Sequence, residues 1–183
     1  WRPVWTRDGR HIIYADTTGG IRRIRADGSG APEKLTTTTA AQVPVSISPD
    51  GRYLAYHQEG NSSADIWILP LDPAGEPRRF FDGAAAETLP VFSPDGRWIA
   101  YVSNESGSPQ LYVRPFPDAD AQWQVSSAGT LDEHAWSPDG TKLYFRSGDG
   151  SKLMVAPVST RAGQFEVGRA TPLFDLDPEA FPD

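Results

Sequence analysis

The chain has no cysteine in its 183 residues. That excludes disulfides, thiolate metal sites and cysteine nucleophiles together, and it says nothing about compartment, because a cysteine-free chain suits an oxidising or a reducing one. Basic residues are scarce: 17 Lys and Arg face 24 Asp and Glu, a formal charge of −7. Phosphate neutralisation needs clustered cations, and the densest spots are only IRRIR at 21–25 and PRR at 77–79, so nucleic acid is not an expected partner. Both read as strand positions facing solvent. No apolar run approaches the about 18 residues needed to cross a bilayer, so direct membrane insertion is not expected. Sustained helical periodicity is missing too, and 17 Gly and 17 Pro would interrupt it. There is no initiator Met or signal peptide, and Trp1 opens inside a repeat, which suggests a segment of a longer protein.

What the chain does contain is one phrase written four times. RPVWTRDGRHIIYAD, VPVSISPDGRYLAYHQ, LPVFSPDGRWIAYVS and HAWSPDGTKLYFRS carry an Asp-Gly pair at Asp8, Asp50, Asp95 and Asp139, spaced by 42, 45 and 44 residues. Periods of about 40–50 residues belong to propeller blades or to helical HEAT and armadillo pairs, and the local chemistry selects the first. A bulky apolar residue stands three before each Asp (Trp5, Ile47, Phe92, Trp136), an aliphatic four after (Ile12, Leu54, Ile99, Leu143) and an aromatic six after (Tyr14, Tyr56, Tyr101, Phe145). Short β-prone runs around an Asp-Gly turn make a hairpin, with Gly supplying positive φ. A third run follows in each unit (20–27, 65–72, 110–118, 152–160), then a fourth (33–39, 77–83, 122–129, 170–177). The reading is all-β: a β-propeller of about four four-stranded antiparallel blades, at about 1–39, 40–83, 84–129 and 130–177, in which Trp5, Ile47, Phe92 and Trp136 lie between blades. Asp183 stands 44 residues past Asp139, so 178–183 reads as the possible start of a fifth repeat, and the chain as a segment of a larger propeller.

SPDGRYLAYHQ, SPDGRWIAYVS and SPDGTKLYFRS resemble the WD40-like repeats of the TolB type, often called PD40 repeats, over essentially the whole chain. The second half is similar to the C-terminal propellers of large bacterial sensor and kinase proteins. The resemblance implies a bacterial, periplasmic or otherwise extracytoplasmic interaction module whose partner is a protein or peptide, with self-association where a ring is incomplete.

Two other settings follow from related architectures: the gating propeller of a prolyl-oligopeptidase-like peptidase, and the sensor domain of a membrane serine/threonine kinase. The chain itself shows no GxSxG elbow, no HRD or DFG motif and no HExxH, and its three His fall at different repeat phases. GDGS at 148–151 lacks the ligand spacing of a calcium loop. The repeated Asp most simply bonds nearby amides and fixes the turn. The reading is therefore not an enzyme, with no catalytic, cofactor or metal residues assigned. NSS at 61–63 matches a glycosylation acceptor.

In the family's usual chain path the SPDG turns lie on one face. The other face carries the blade-to-blade links (39–43, 83–89, 129–134) and the loops between second and third strands (57–65, 103–109, 147–151). Variable loops on a rigid scaffold are where recognition lives. The candidate partner-binding residues are Gln42, His57, Glu59, Glu87, Thr88, Asp132, Glu133 and His134.

Overall fold

A computed structural model describes residues 3–60, 63–161 and 164–177; Asn61, Ser62 and the segment 178–183, with the glycosylation triplet and the fifth-repeat reading that fall on them, lie outside the described residues. Among the described residues every regular element is a strand. Strands β1 (Val4–Trp5), β2 (His11–Ala15), β3 (Ile21–Arg25) and β4 (Glu33–Lys34) form the first sheet in sequence order. The second is β5 (Gln42–Ile47), β6 (Tyr53–Glu59), β7 (Ala64–Pro70) and β8 (Arg78–Arg79). The third is β9 (Glu87–Phe92), β10 (Trp98–Ser103), β11 (Gln110–Pro115) and β12 (Trp123–Gln124). Neighbouring strands in these sheets pair antiparallel, the up-and-down order of a propeller blade.

The fourth sheet departs from the sequence reading. It holds β13 (Thr130–Trp136), β14 (Lys142–Ser147), β15 (Lys152–Arg161), β16 (Gln164–Val167) and β17 (Thr171–Asp175). Its third strand is ten residues long, so its free edge has room for two partners. β16 pairs with residues 158–161 and β17 with residues 152–155. The single closing strand expected at 170–177 is thus preceded by another. Gly168 makes the junction possible: its N–H donates to Pro157 O at 2.8 Å, and a Cβ there would fall 2.6 Å from Pro157 Cγ.

The recurring turn explains the recurring letters. Ser137 Oγ donates to Asp139 Oδ1 at 2.6 Å, the same carboxylate oxygen accepts Thr141 N–H at 3.1 Å, and Lys142 N–H returns to Ser137 Oγ at 2.9 Å. Gly140, at φ 70°, closes the turn by donating to Ser137 O. Ser48–Asp50 and Ser93–Asp95 repeat the pattern at 2.5 and 2.6 Å, and Thr6 replaces Ser in the first copy at 2.6 Å from Asp8. A fifth copy sits between β14 and β15, at the opposite end of β14: Ser147 Oγ donates to Asp149 at 2.6 Å, and Lys152 N–H bonds Ser147 Oγ.

The chain divides into two compact units, Trp1–Phe92 and Ser93–Asp183. The core of the first joins Ile13, Ile21, Ile47, Leu54, Tyr56 and Leu69. That of the second joins Trp98, Leu111, Val113, Leu143, Phe145 and Val158, with Phe165 of β16 packed 4.8 Å from the Trp98 ring and 5.3 Å from Trp123. Ile47 and Phe92 are buried and Trp136 packs on the second core, but Trp5 is 56% exposed. Trp5 pairs in register with Ile12, on the face of the first sheet opposite Ile13, and it is Ile13, with Ile21, that joins Ile47 and Leu54 of the second sheet in the core.

Candidate functional site

At the end of the first unit away from its SPDG-type turns, the β2–β3 turn and the link into β5 enclose a cleft of about 440 Å³. One wall is Ala15–Gly19, the other Thr39 and Ala41–Val43. Two local devices bring the walls together. Asp16 accepts from the Arg22 guanidinium and, at 3.2 Å, from Thr18 N–H, which fixes the turn. Those contacts, the guanidinium first, hold the Asp16 carboxyl down at about 2, so it is ionised at neutral pH. Gly19, at φ 96°, lies so close to the link that a Cβ would meet Thr38 O at 2.8 Å and Thr39 Cα at 2.9 Å. Only glycine lets the turn approach the link in this way.

Gln42 anchors the floor. Ile21 N–H donates to Thr36 Oγ1 at 2.8 Å, Thr36 donates on to Gln42 Oε1 at 2.5 Å, and Gln42 Nε2 donates to Gln58 Oε1 at 2.7 Å. A longer bond of 3.4 Å reaches Tyr56 OH, whose phenol burial pushes well above its ordinary value. A buried amide satisfied on both sides is a rigid support. The exposed residues of the lining are Thr17, Thr18, Thr39 and Ala41, beside the carboxylate of Asp16, whose charge Arg22 pairs; the hydroxyls suit hydrogen bonding to a neutral polar chain.

The structure distributes the eight sequence-derived candidates unevenly. In the first unit Gln42 pairs with Gln58, and Val43 with His57, so Gln42, His57 and Glu59 share the adjoining ends of β5 and β6. β9, carrying Glu87 and Thr88, packs on both strands. Gln42, His57 and Glu87 are buried, Thr88 is half-buried and Glu59 is exposed. His57 Nδ1 accepts Leu89 N–H at 3.4 Å, and Leu89 holds a left-handed φ of 56°, an uncommon conformation for a bulky residue. In the second unit Glu133 is exposed and 3.8 Å from Arg146, and His134 is half-buried. Asp132 falls on β13, with its side chain outside the described residues.

The Thr residues that face the cleft were not singled out from sequence. The signal was there: TTGG at 17–20 occupies the same repeat position as the loops 57–65, 103–109 and 147–151, and TTTT at 36–39 leads into the first blade-to-blade link. Among the described residues no group of three His, Asp or Glu side chains could hold a metal ion, and no helix is long and apolar enough to cross a membrane.

Comparison with curated proteins finds no match. Among solved structures the chain is similar to a putative TolB from Agrobacterium tumefaciens, with TM-score 0.75 and 26% identity over 94% of this chain and 64% of that one. It is also similar to TolB from Acinetobacter baumannii, at TM-score 0.67 and 22% identity over 91% of this chain and 42% of that one. A puromycin-hydrolyzing peptidase of Mycobacterium tuberculosis shares the fold at TM-score 0.61 and 17% identity, over 91% of this chain and 37% of that one. The chain therefore spans less than two thirds of the length of each. Residues 1–172 match the model of the TolB β-propeller domain, and the chain belongs to that family.

Proposed function

We propose that the chain is a non-catalytic propeller module that binds a protein or peptide, within a larger TolB-like bacterial protein working outside the cytoplasm. The observation that carries the reading is the cleft between Asp16–Gly19 and Thr39–Val43. It is built on a rigid polar network, shaped by a turn that only glycine lets approach the facing link, and faced by hydroxyls instead of by an acid–base pair. Its size falls in the range of about 300–1,000 Å³ typical of ligand sites. An extended peptide supplies the alternating donors and acceptors that such hydroxyls meet. Glu59 and Thr88 would form the adjoining part of this surface, with His57 and Glu87 buried behind it as support, and Asp132, Glu133 and His134 a corresponding part in the second unit. The resemblance of the second half to propellers of sensor and kinase proteins supports the extracytoplasmic setting.

The test is selection of peptides from a display library on the 183-residue protein, followed by affinity measurement on wild type and Thr39→Trp. Thr39 is exposed, so the indole fills the cleft without entering the core. Loss of affinity by tenfold or more is expected, about 1.4 kcal/mol. Unchanged affinity, or no selectable peptide, contradicts the reading.

One observation favours a second reading, the gating propeller of a peptidase: the shared fold with the puromycin-hydrolyzing enzyme. An α/β-hydrolase domain encoded in the same gene would support it over the first.

A further inference from the structure

The second unit holds a cleft of different chemistry. Its volume is about 420 Å³, and it lies among β12, the link after it, β14, β15 and the β16–β17 junction. Val125 and Phe145, 6% and 3% exposed, form an apolar floor, and the half-buried Met154 borders it. Arg169 is the one charged side chain among the described residues that line it. It is exposed, and among the described residues it makes no ion pair or hydrogen bond. In the same unit Asp175 pairs with Lys152, and Glu166 accepts from the Ser159 hydroxyl at 3.2 Å. Arg169 is thus, among the described residues, an unpaired cation beside an apolar floor.

That combination selects a ligand. A guanidinium pairs best with a carboxylate, through two parallel N–H bonds. An apolar floor needs an apolar group within reach of that carboxylate, and an unbranched thioether adapts to its shape. The remaining lining is polar: Ser127 offers its hydroxyl, and Gln124 spends Nε2 on Ser126 O at 2.7 Å and keeps Oε1 for a donor. Those groups match a main-chain amide, which a hydrocarbon tail lacks.

We propose that this cleft binds the C-terminus of a peptide that ends in a hydrophobic residue, the terminal carboxylate on Arg169 and the last side chain over Val125 and Phe145. The proposal rests on residues independent of the first cleft, so its failure leaves the reading above untouched, and the reverse.

Met154 is the chain's single methionine, so a ¹³C-methyl-methionine label gives one resonance, inside the cleft. The experiment titrates acetyl-Ala-Ala-Phe with a free carboxylate, the same peptide as its C-terminal amide, acetyl-Ala-Ala-Gly and octanoate into the full 183-residue protein, and repeats the first titration on Arg169→Gln. Expected is a saturable shift with the peptide acid, weakened fivefold or more by amidation, by glycine in place of phenylalanine and by Arg169→Gln. Arg169 is exposed, so an unchanged thermal melt certifies the variant. No shift with the acid, equal binding of acid and amide, unchanged binding by Arg169→Gln, or tighter binding of octanoate than of the peptide each overturns the proposal.

Discussion

Ser137 is buried, yet its hydroxyl both donates to Asp139 and accepts Lys142 N–H. Ser137→Ala removes an acceptor from a backbone amide and a donor from a carboxylate at once. Unfolding in urea is expected to register a loss of about 1–3 kcal/mol, whereas a loss below a few tenths would mean that water replaces the hydroxyl. The carboxylates of these turns add a pH dependence. The serine hydroxyls and following backbone amides hold Asp139 and Asp149 down at about 2. Ser48 holds Asp50 below its ordinary range. At Asp95 burial pushes upward, but the Ser93 and Arg97 contacts outweigh it and the net shift is also downward. A depressed folded pKa contributes stability that is present above the unfolded value near about 4 and is lost as pH falls through the folded one. The melting temperature is therefore expected to be insensitive to these groups between about pH 7 and 5 and to fall below about pH 4. Asp139→Asn keeps one acceptor but abolishes the titration, so it shallows that fall; an unchanged acid limb would show that the turns are not its source.

At the scale of elements, β16 tests how the second unit is held. Its Phe165 is 3% exposed and packs against the rings of Trp98, Trp123 and Trp136. Phe165→Ala is expected to cost about 3–5 kcal/mol, as for other buried large aromatics, read as a lower urea midpoint with unchanged slope. A cost near that of a surface substitution would mean that β16 is an appendage to the sheet. The strands around each Asp-Gly turn were legible in the sequence because the turn chemistry recurs at fixed offsets from the same apolar residues. β16 was not: QFEV at 164–167 stands where the other units close, 25–28 residues past its turn Asp, but at the same offsets it shares no letter with their closing strands, and a second β-prone run follows it at 170–177. The turn at Ser147 was legible in principle: SGDGSK keeps the Ser, the Asp-Gly and their spacing from SPDGTK, with Gly in place of Pro and Ser in place of Thr. Trp5 was misjudged because a repeat column reports which face of its own sheet a residue takes, not whether that face is covered.

Across the whole molecule, the site was less legible than the fold. Polarity in a loop marked Gln42, His57 and Glu87, but the backbone turns them inward, where they brace strands. The residues that face the first cleft are threonines, which carry no signature of recognition in a sequence and acquire one only when Gly19 draws two segments together. Both units carry a cleft built on the same kind of blade, one lined by hydroxyls and one by an apolar floor with a cation. A propeller can thus vary its ligand chemistry from blade to blade while its turn chemistry stays constant. The most direct measurement is a ¹⁵N chemical-shift titration of the protein with a peptide selected on it. The account predicts saturable shifts centred on the amides of Thr17, Thr18, Thr39 and Ala41, with the peptide recovered intact. Shifts centred instead on the SPDG turns at the other end of the strands, or recovery of a cleaved peptide, would contradict it.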